Sequence, residues 1–163
     1  MAGYNLVILI FSAFLLQGSL LPFLFNGIFQ PDICLVIVTL AAIMLDRKSA
    51  LILAFSTGFL QDVVIGNMFG LHLLPYLAIT FFLITYGRKR YNRHWYVSVM
   101  AVIIATIIYF ILSGLLMQFS GIHSFFFNFY FYSVISVAMM NGCCALLFHN
   151  LMRIFKEEDE SLW

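Results

Sequence analysis

The sequence has very little charge. Only 9% of its 163 residues are charged, whereas 64% are hydrophobic. A typical soluble domain carries about 25% charged residues and is about half apolar. No polar stretch is long enough to form a separate soluble domain. The composition therefore excludes an ordinary water-soluble globule and indicates a protein whose solvent is lipid.

Cysteine is also scarce and is not arranged for chemistry. Cys34, Cys143 and Cys144 all lie in apolar runs, without the spacing of a zinc site or a disulfide framework. We interpret them as small apolar packing residues. The sequence shows no nucleophile with a base beside it either, so we expect no enzymatic activity, no metal and no cofactor. Nothing in it points to nucleic acid.

Six long apolar blocks make up most of the chain. A helix needs about 20 residues to cross the hydrocarbon layer, so the second block is short for this task. It crosses only if it includes its flanks, tilts little or lies partly inside the bundle. We expect an all-α polytopic membrane protein with six transmembrane helices in one compact bundle, which is a single integral membrane domain over residues 1–163. The expected spans are 4–24, 33–45, 49–65, 70–87, 96–119 and 125–152.

The cations are confined to three places along the chain. All eight Lys and Arg residues lie at the junctions after the second, fourth and sixth blocks. The positive-inside rule then predicts that these junctions and both termini are cytoplasmic. The largest group of cations, which we call the loop cluster, either only sets this topology or also docks anionic lipid at about 1 kcal/mol per cation. The loop cluster consists of Arg88, Lys89, Arg90 and Arg93.

One carboxylate lies in the apolar stretch GFLQDVVIGNMFG, residues 58–70. This carboxylate, Asp62, shares a helix face with small residues spaced four apart. Such a stripe lets helix backbones approach closely, which predicts a helix-packing or partner interface. A charged Asp in lipid costs at least ~2.5–3.5 kcal/mol, so something must compensate it. The predicted interface consists of Ala54, Gly58, Asp62, Gly66 and Gly70.

Three roles for Asp62 are compatible with the sequence. It accepts hydrogen bonds from N–H groups where the fourth block begins, with help from Asn67 or His72. Alternatively it contacts a partner protein, or it handles a proton or a substrate. The first role predicts that Asp62→Asn is mild, because an amide oxygen still accepts, and that Asp62→Leu is severe.

Two further polar residues, Gln17 and Asn141, lie within predicted spans. Both need hydrogen-bond partners in hydrocarbon. Together with Asp62 they are candidates for one buried polar cluster. The cluster either fixes the packing of the helices or lines a pocket.

The stretch GFLQDVVIGNMFGLHLLPYLAITFFL, residues 58–83, resembles the signature of the MreD family of bacterial rod-shape-determining membrane proteins. That signature has a glycine, an aspartate four residues later, a glycine-containing turn and an apolar helix. The chain length and the six-block layout fit the family as well. The matching residues are Gly58, Asp62, Gly66, Gly70 and Leu71, with weaker likenesses at Leu15-Leu16-Gln17, Pro31-Asp32 and Asn141-Gly142.

The resemblance implies a non-enzymatic scaffold of the cell-elongation machinery in the bacterial cytoplasmic membrane. Its implied partner is an MreC-like bitopic protein. Through it, the scaffold supports lateral peptidoglycan synthesis by RodA and a class B penicillin-binding transpeptidase, and is linked to the MreB filament. Membrane lipid and a second copy of the chain are further expected partners.

A rival interpretation is a small-ligand-binding S component of an energy-coupling-factor transporter, which also has six spans. Such a protein needs convergent polar groups on its outer side. The predicted outer loops are short and carry Asp32 as their one charge besides the membrane-embedded Asp62, which favours the scaffold. A channel would need a chain of ionisable groups across the bilayer, and only Asp62 is available.

The topology can be tested by cysteine accessibility. With the native cysteines replaced, single cysteines at Ser120 and Asn92 should be labelled from opposite sides of the membrane. Labelling of both positions from the same side contradicts the six-span arrangement.

Overall fold

The computed structural model describes residues 3–25, 29–65, 68–87, 94–121 and 127–161. These residues form six helices and no strand, so the all-α prediction is confirmed for them. Two helices contain a π-helical segment. We number the helices as α1, with Gly3–Leu15, the π-helical Leu16–Leu20 and Leu21–Phe25; α2, Ile33–Met44; α3, Arg47–Ile65; α4, Leu73–Phe82 with the π-helical Leu83–Gly87; α5, Trp95–Phe119; and α6, Phe127–Ser161.

The described helices differ in whether they can cross a bilayer. Within the described ranges, Val7–Phe25, Trp95–Phe119 and Tyr132–Arg153 are long and apolar enough to do so. Ile33–Met44 and Leu73–Gly87 are apolar but shorter. The six-span arrangement with cytoplasmic termini therefore stays a prediction. Gly66 and the loop cluster lie outside the described residues.

Helix α2 is the centre of the bundle. All 12 of its residues are buried, and it contacts α1, α3, α4, α5 and α6. At 1.5 Å per residue, a helix of this length is about 18 Å long, well short of the ~30 Å hydrocarbon layer. The short second block is thus accommodated inside the bundle, and α2 begins and ends among other helices.

The outer surface of the bundle is apolar and its interior holds the polar groups. Phe23, Phe119 and Leu147 are 84%, 89% and 76% exposed. Gln61 and Asn141, in contrast, are 2% and 0% exposed. The interior also has an apolar core, as in a soluble protein, but the apolar outer surface is unlike that of a soluble protein and fits a lipid-facing surface.

The helix starts depart from the expected boundaries for local reasons. Helix α3 begins two residues early, at Arg47, because Asp46 caps it: its Oδ2 accepts the Ser49 N–H at 2.9 Å. Partial burial raises the pKa of Asp46, but hydrogen bonds from Ser49 outweigh it and leave the pKa below its usual value. Helix α4 begins late, at Leu73, because residues 69–72 form a turn. That turn needs Gly70, whose φ is +98°.

One member of the small-residue stripe, Gly58, packs α3 against the start of α4. Ala54 is fully buried. A Cβ added to Gly58 would lie 2.7 Å from the Leu73 Cα and 3.2 Å from its nitrogen. The backbones of α3 and α4 therefore approach closely at Gly58.

Replacing Gly58 by alanine should destabilise the protein. Alanine gains about 0.5–1 kcal/mol in a helix interior, but overpacking against backbone costs about 1–3 kcal/mol. We expect Gly58→Ala to lower the melting temperature in detergent. Gly142→Ala is the matched control, because its Cβ would make ordinary contact at 3.4 Å with the Ile103 side chain. Equal effects of the two substitutions would contradict the close approach at Gly58.

Candidate functional site

The carboxylate of Asp62 lies at the start of α4 and accepts backbone hydrogen bonds from it. Its Oδ2 accepts from the N–H groups of Gly70 at 2.8 Å and Leu73 at 3.1 Å. Its Oδ1 accepts from the His72 N–H at 2.8 Å and lies 3.0 Å from the His72 ring Nδ1. An ionised carboxylate only accepts, so the contact between these two side chains is a hydrogen bond when the His72 Nδ1 carries the proton. The hydrogen bonds predicted for Asp62 are therefore present, with the help of His72; Asn67 lies outside the described residues.

Through these bonds, the backbone N–H groups at the first turn of α4 find acceptors. A helix leaves its first N–H groups without partners inside the helix. Asp62 takes those of His72 and Leu73, and the Leu74 N–H donates to the Gly70 carbonyl at 3.2 Å. Pro75 has no N–H to satisfy. The helix can therefore begin inside the bundle without an unpaired donor.

The start of the central helix α2 is capped in a similar way. The Asn141 Oδ1 accepts the Asp32 N–H at 2.7 Å, and the Gln17 Oε1 accepts the Ile33 N–H at 2.8 Å. Asp32 is the N-cap residue, and its Oδ1 accepts the Leu35 N–H at 3.0 Å. Gln17 of α1 and Asn141 of α6, the two polar residues predicted to lie within spans, thus both cap the N-terminus of α2.

Asp32, Tyr76 and Thr106 hold this arrangement together, although the sequence analysis did not single them out for the site. The Tyr76 hydroxyl donates to the Asp32 Oδ2 at 2.8 Å. The Asn141 Nδ2 donates to the Thr106 Oγ1 at 2.9 Å, and that hydroxyl donates to the Val102 carbonyl at 2.8 Å. An Asp directly before an apolar run is an N-cap signal, so the cap at Asp32 was accessible from sequence. Tyr76 and Thr106 carried no comparable signal.

A cavity of about 180 Å³ lies between the two helix starts. Gln17 and Asn141 line it, so these amides both fix helix packing and face a pocket. His72 lines the cavity, whereas its hydrogen-bond partner Asp62 does not. The lining residues are Gln17, Gln30, Asp32, Leu35, Gln61, His72, Thr106, Tyr109, Phe110, Val137 and Asn141.

Among the described residues, the remaining polar groups do not form a second centre. The His149 Nδ1 lies 2.8 Å from the Ser98 Oγ in a buried contact between α6 and α5, which is a helix-packing role. His94 is exposed at the N-cap of α5 and makes no side-chain cap. Within the described part of the chain, no three His, Cys, Asp or Glu side chains come together to hold a metal.

A family model described as rod shape-determining protein MreD matches residues 2–158. The chain belongs to the MreD family. The resemblance seen in residues 58–83 is thereby confirmed over nearly the whole chain, and the protein is a membrane protein of a shape-determining family rather than a member of a known enzyme family. No match was found among curated proteins or among solved structures.

The geometry at Asp62 changes the expected effect of Asp62→Asn. Both carboxylate oxygens accept hydrogen bonds from backbone N–H groups. An asparagine has only one side-chain oxygen, so its NH₂ group must face the N–H donors on one of the two sides. We expect Asp62→Asn to be clearly destabilising, because leaving a buried donor unpaired costs about 1–3 kcal/mol. Asp62→Leu should be worse, because it leaves the donors on both sides unpaired.

Thermal unfolding of the two variants in detergent measures this order. Val63→Leu is a suitable control, since Val63 is the adjacent residue on α3 and is 55% exposed. An Asp62→Leu protein as stable as the wild type would show that the carboxylate does not hold the start of α4.

Proposed function

We propose that the protein is a non-enzymatic scaffold of the bacterial cell-elongation machinery. The family match over residues 2–158 carries this proposal. The structure supports it through the way that polar groups are used: Asp62, Gln17 and Asn141 all hold helix termini. A framework whose buried polar groups serve its own helices suits a protein that positions others.

The proposed direct partner is an MreC-like bitopic protein. RodA, the class B penicillin-binding transpeptidase and the MreB filament are proposed as indirect partners. The apolar outer surface, with Phe23 and Phe119 more than four-fifths exposed, offers contact area for a partner helix, for lipid or for a second copy. We place the protein in the bacterial cytoplasmic membrane as a multi-pass protein, with the loop cluster on the cytoplasmic side.

Small-ligand capture, as by an S component, is the second candidate. The cavity between the starts of α2 and α4 is the observation that favours it. Its volume of about 180 Å³ is below the ~300–1,000 Å³ of typical ligand pockets. The scaffold is therefore the first proposal, and a transport cycle is not needed to explain the polar residues.

The scaffold proposal is tested by complementation and co-purification in a rod-shaped host. We expect the wild-type chain, co-expressed with the MreC-like protein of its own organism, to retain that protein through detergent purification. It should also restore rod shape when the host's own MreD-family protein is depleted together with its MreC.

The variants make this test specific. Gly142→Ala should behave as the wild type, and Asp62→Leu should lose both shape rescue and co-purification because the start of α4 is no longer held. A wild-type chain that reaches the membrane but neither retains the MreC-like protein nor rescues shape would refute the scaffold role.

A further inference from the structure

The cavity between the starts of α2 and α4 presents acceptors that the fold does not use. The side-chain oxygens Gln30 Oε1 and Gln61 Oε1 are buried and accept no hydrogen bond from the described part of the chain. Both residues line the cavity. In the described residues, two other buried oxygens share this condition, the hydroxyls of Thr39 and Thr80, but neither residue lines the cavity.

Of these two residues, Gln61 gives the stronger indication of a ligand. It is 2% exposed and directly precedes Asp62 on α3. A buried amide oxygen without a donor costs about 1–3 kcal/mol. A leucine or methionine would pack at this position without that cost. The Gln61 side chain also hydrogen-bonds to Asp32, but its Oε1 is left for something that enters the cavity.

The same cavity contains the Asp32 carboxylate together with His72, and within the described residues no Lys or Arg lies beside this carboxylate. Asp32 accepts hydrogen bonds from the Leu35 N–H, the Tyr76 hydroxyl and the Gln61 side chain, and its two oxygens together offer about four acceptor positions. Arg47 and Lys48 stand at the other end of α3, about 20 Å from Gln61 along the helix. Arg153 is about 18 Å from Asn141 along α6. A carboxylate in apolar surroundings favours a positively charged donor.

The size of the cavity limits what can enter. About 180 Å³ corresponds to roughly six water molecules at ~30 Å³ each. A vitamin-sized ligand is too large, whereas a headgroup or a molecule of a few non-hydrogen atoms fits.

We propose that this cavity binds a primary ammonium group, carried by a small amine or by the ethanolamine headgroup of a lipid. An ammonium supplies three N–H donors, which match Gln30 Oε1, Gln61 Oε1 and Asp32. Its charge balances the Asp32 carboxylate. The site does not depend on the scaffold role, because it is built from residues at the helix starts whether or not a partner protein is bound.

Binding of radiolabelled ethanolamine to the full-length protein in phosphatidylcholine nanodiscs tests the site. We expect saturable binding that excess unlabelled ethanolamine displaces. Choline should not displace it, because choline has the same charge and no N–H donor. Absence of saturable binding, or equal displacement by choline, would overturn the proposal.

The variant Gln61→Met separates binding from folding. It should weaken ethanolamine binding at least about tenfold, as expected for a lost hydrogen bond to a charged group. Because the variant also loses the hydrogen bond from Gln61 to Asp32, binding is compared at a temperature at which both proteins are folded. Gln118→Met is the matched control, since Gln118 is exposed near the end of α5 and outside the cavity. Unchanged binding by Gln61→Met would refute the site.

Nanodiscs that contain phosphatidylethanolamine distinguish the two sources of the ammonium group. If the lipid is the ligand, these nanodiscs should abolish binding of free ethanolamine, and native mass spectrometry should show a retained phosphatidylethanolamine that Gln61→Met loses. If a free amine is the ligand, ethanolamine binding should be the same in both kinds of nanodisc.

Discussion

A helix that starts below the membrane surface presents N–H groups to a medium that cannot hydrogen-bond them. Two helices of this protein face that problem. Helix α2 is only 12 residues long and buried throughout, and α4 begins after a turn that folds back on α3. Each unpaired donor would cost about 1–3 kcal/mol. Asp62, Gln17 and Asn141 are placed where they remove that cost.

This constraint also accounts for the glycines around Asp62. A carboxylate on α3 reaches the N–H groups of Gly70, His72 and Leu73 only if the chain returns closely to the same helix. Gly58 permits the approach, since a Cβ there would lie 2.7 Å from the Leu73 Cα. Gly70 permits the turn, with its positive φ of 98°. The small-residue stripe and the buried charge are thus two parts of one joint between α3 and α4.

The joint at α4 was predictable because its parts are close in sequence. Asp62 has no cation near it in sequence, and the glycines that follow it fit a tight return of the chain, which was one of the roles considered. The cap of α2 was only partly predictable. Gln17 and Asn141 stood out as polar residues in apolar runs, but Asn141 meets Asp32 across 109 residues, and no local pattern encodes that pairing.

Other features depend on tertiary packing, and no local sequence pattern predicted them. The shortness of the second block allowed three arrangements, and only the contacts of α2 with five other helices place it at the centre. The π-helical segments Leu16–Leu20 and Leu83–Gly87 interrupt runs that look like ordinary apolar helix. The roles of Tyr76 and Thr106 likewise follow from which helices meet.

Backbone amide hydrogen exchange of the nanodisc-embedded protein tests the capping account most directly. The account predicts that the amides of Gly70, His72 and Leu73 exchange slowly in the wild type, like those in the interior of α2. In Asp62→Leu they should exchange much faster, while α5 keeps its protection. Rapid exchange of these three amides in the wild type, or slow exchange that Asp62→Leu leaves unchanged, would contradict it.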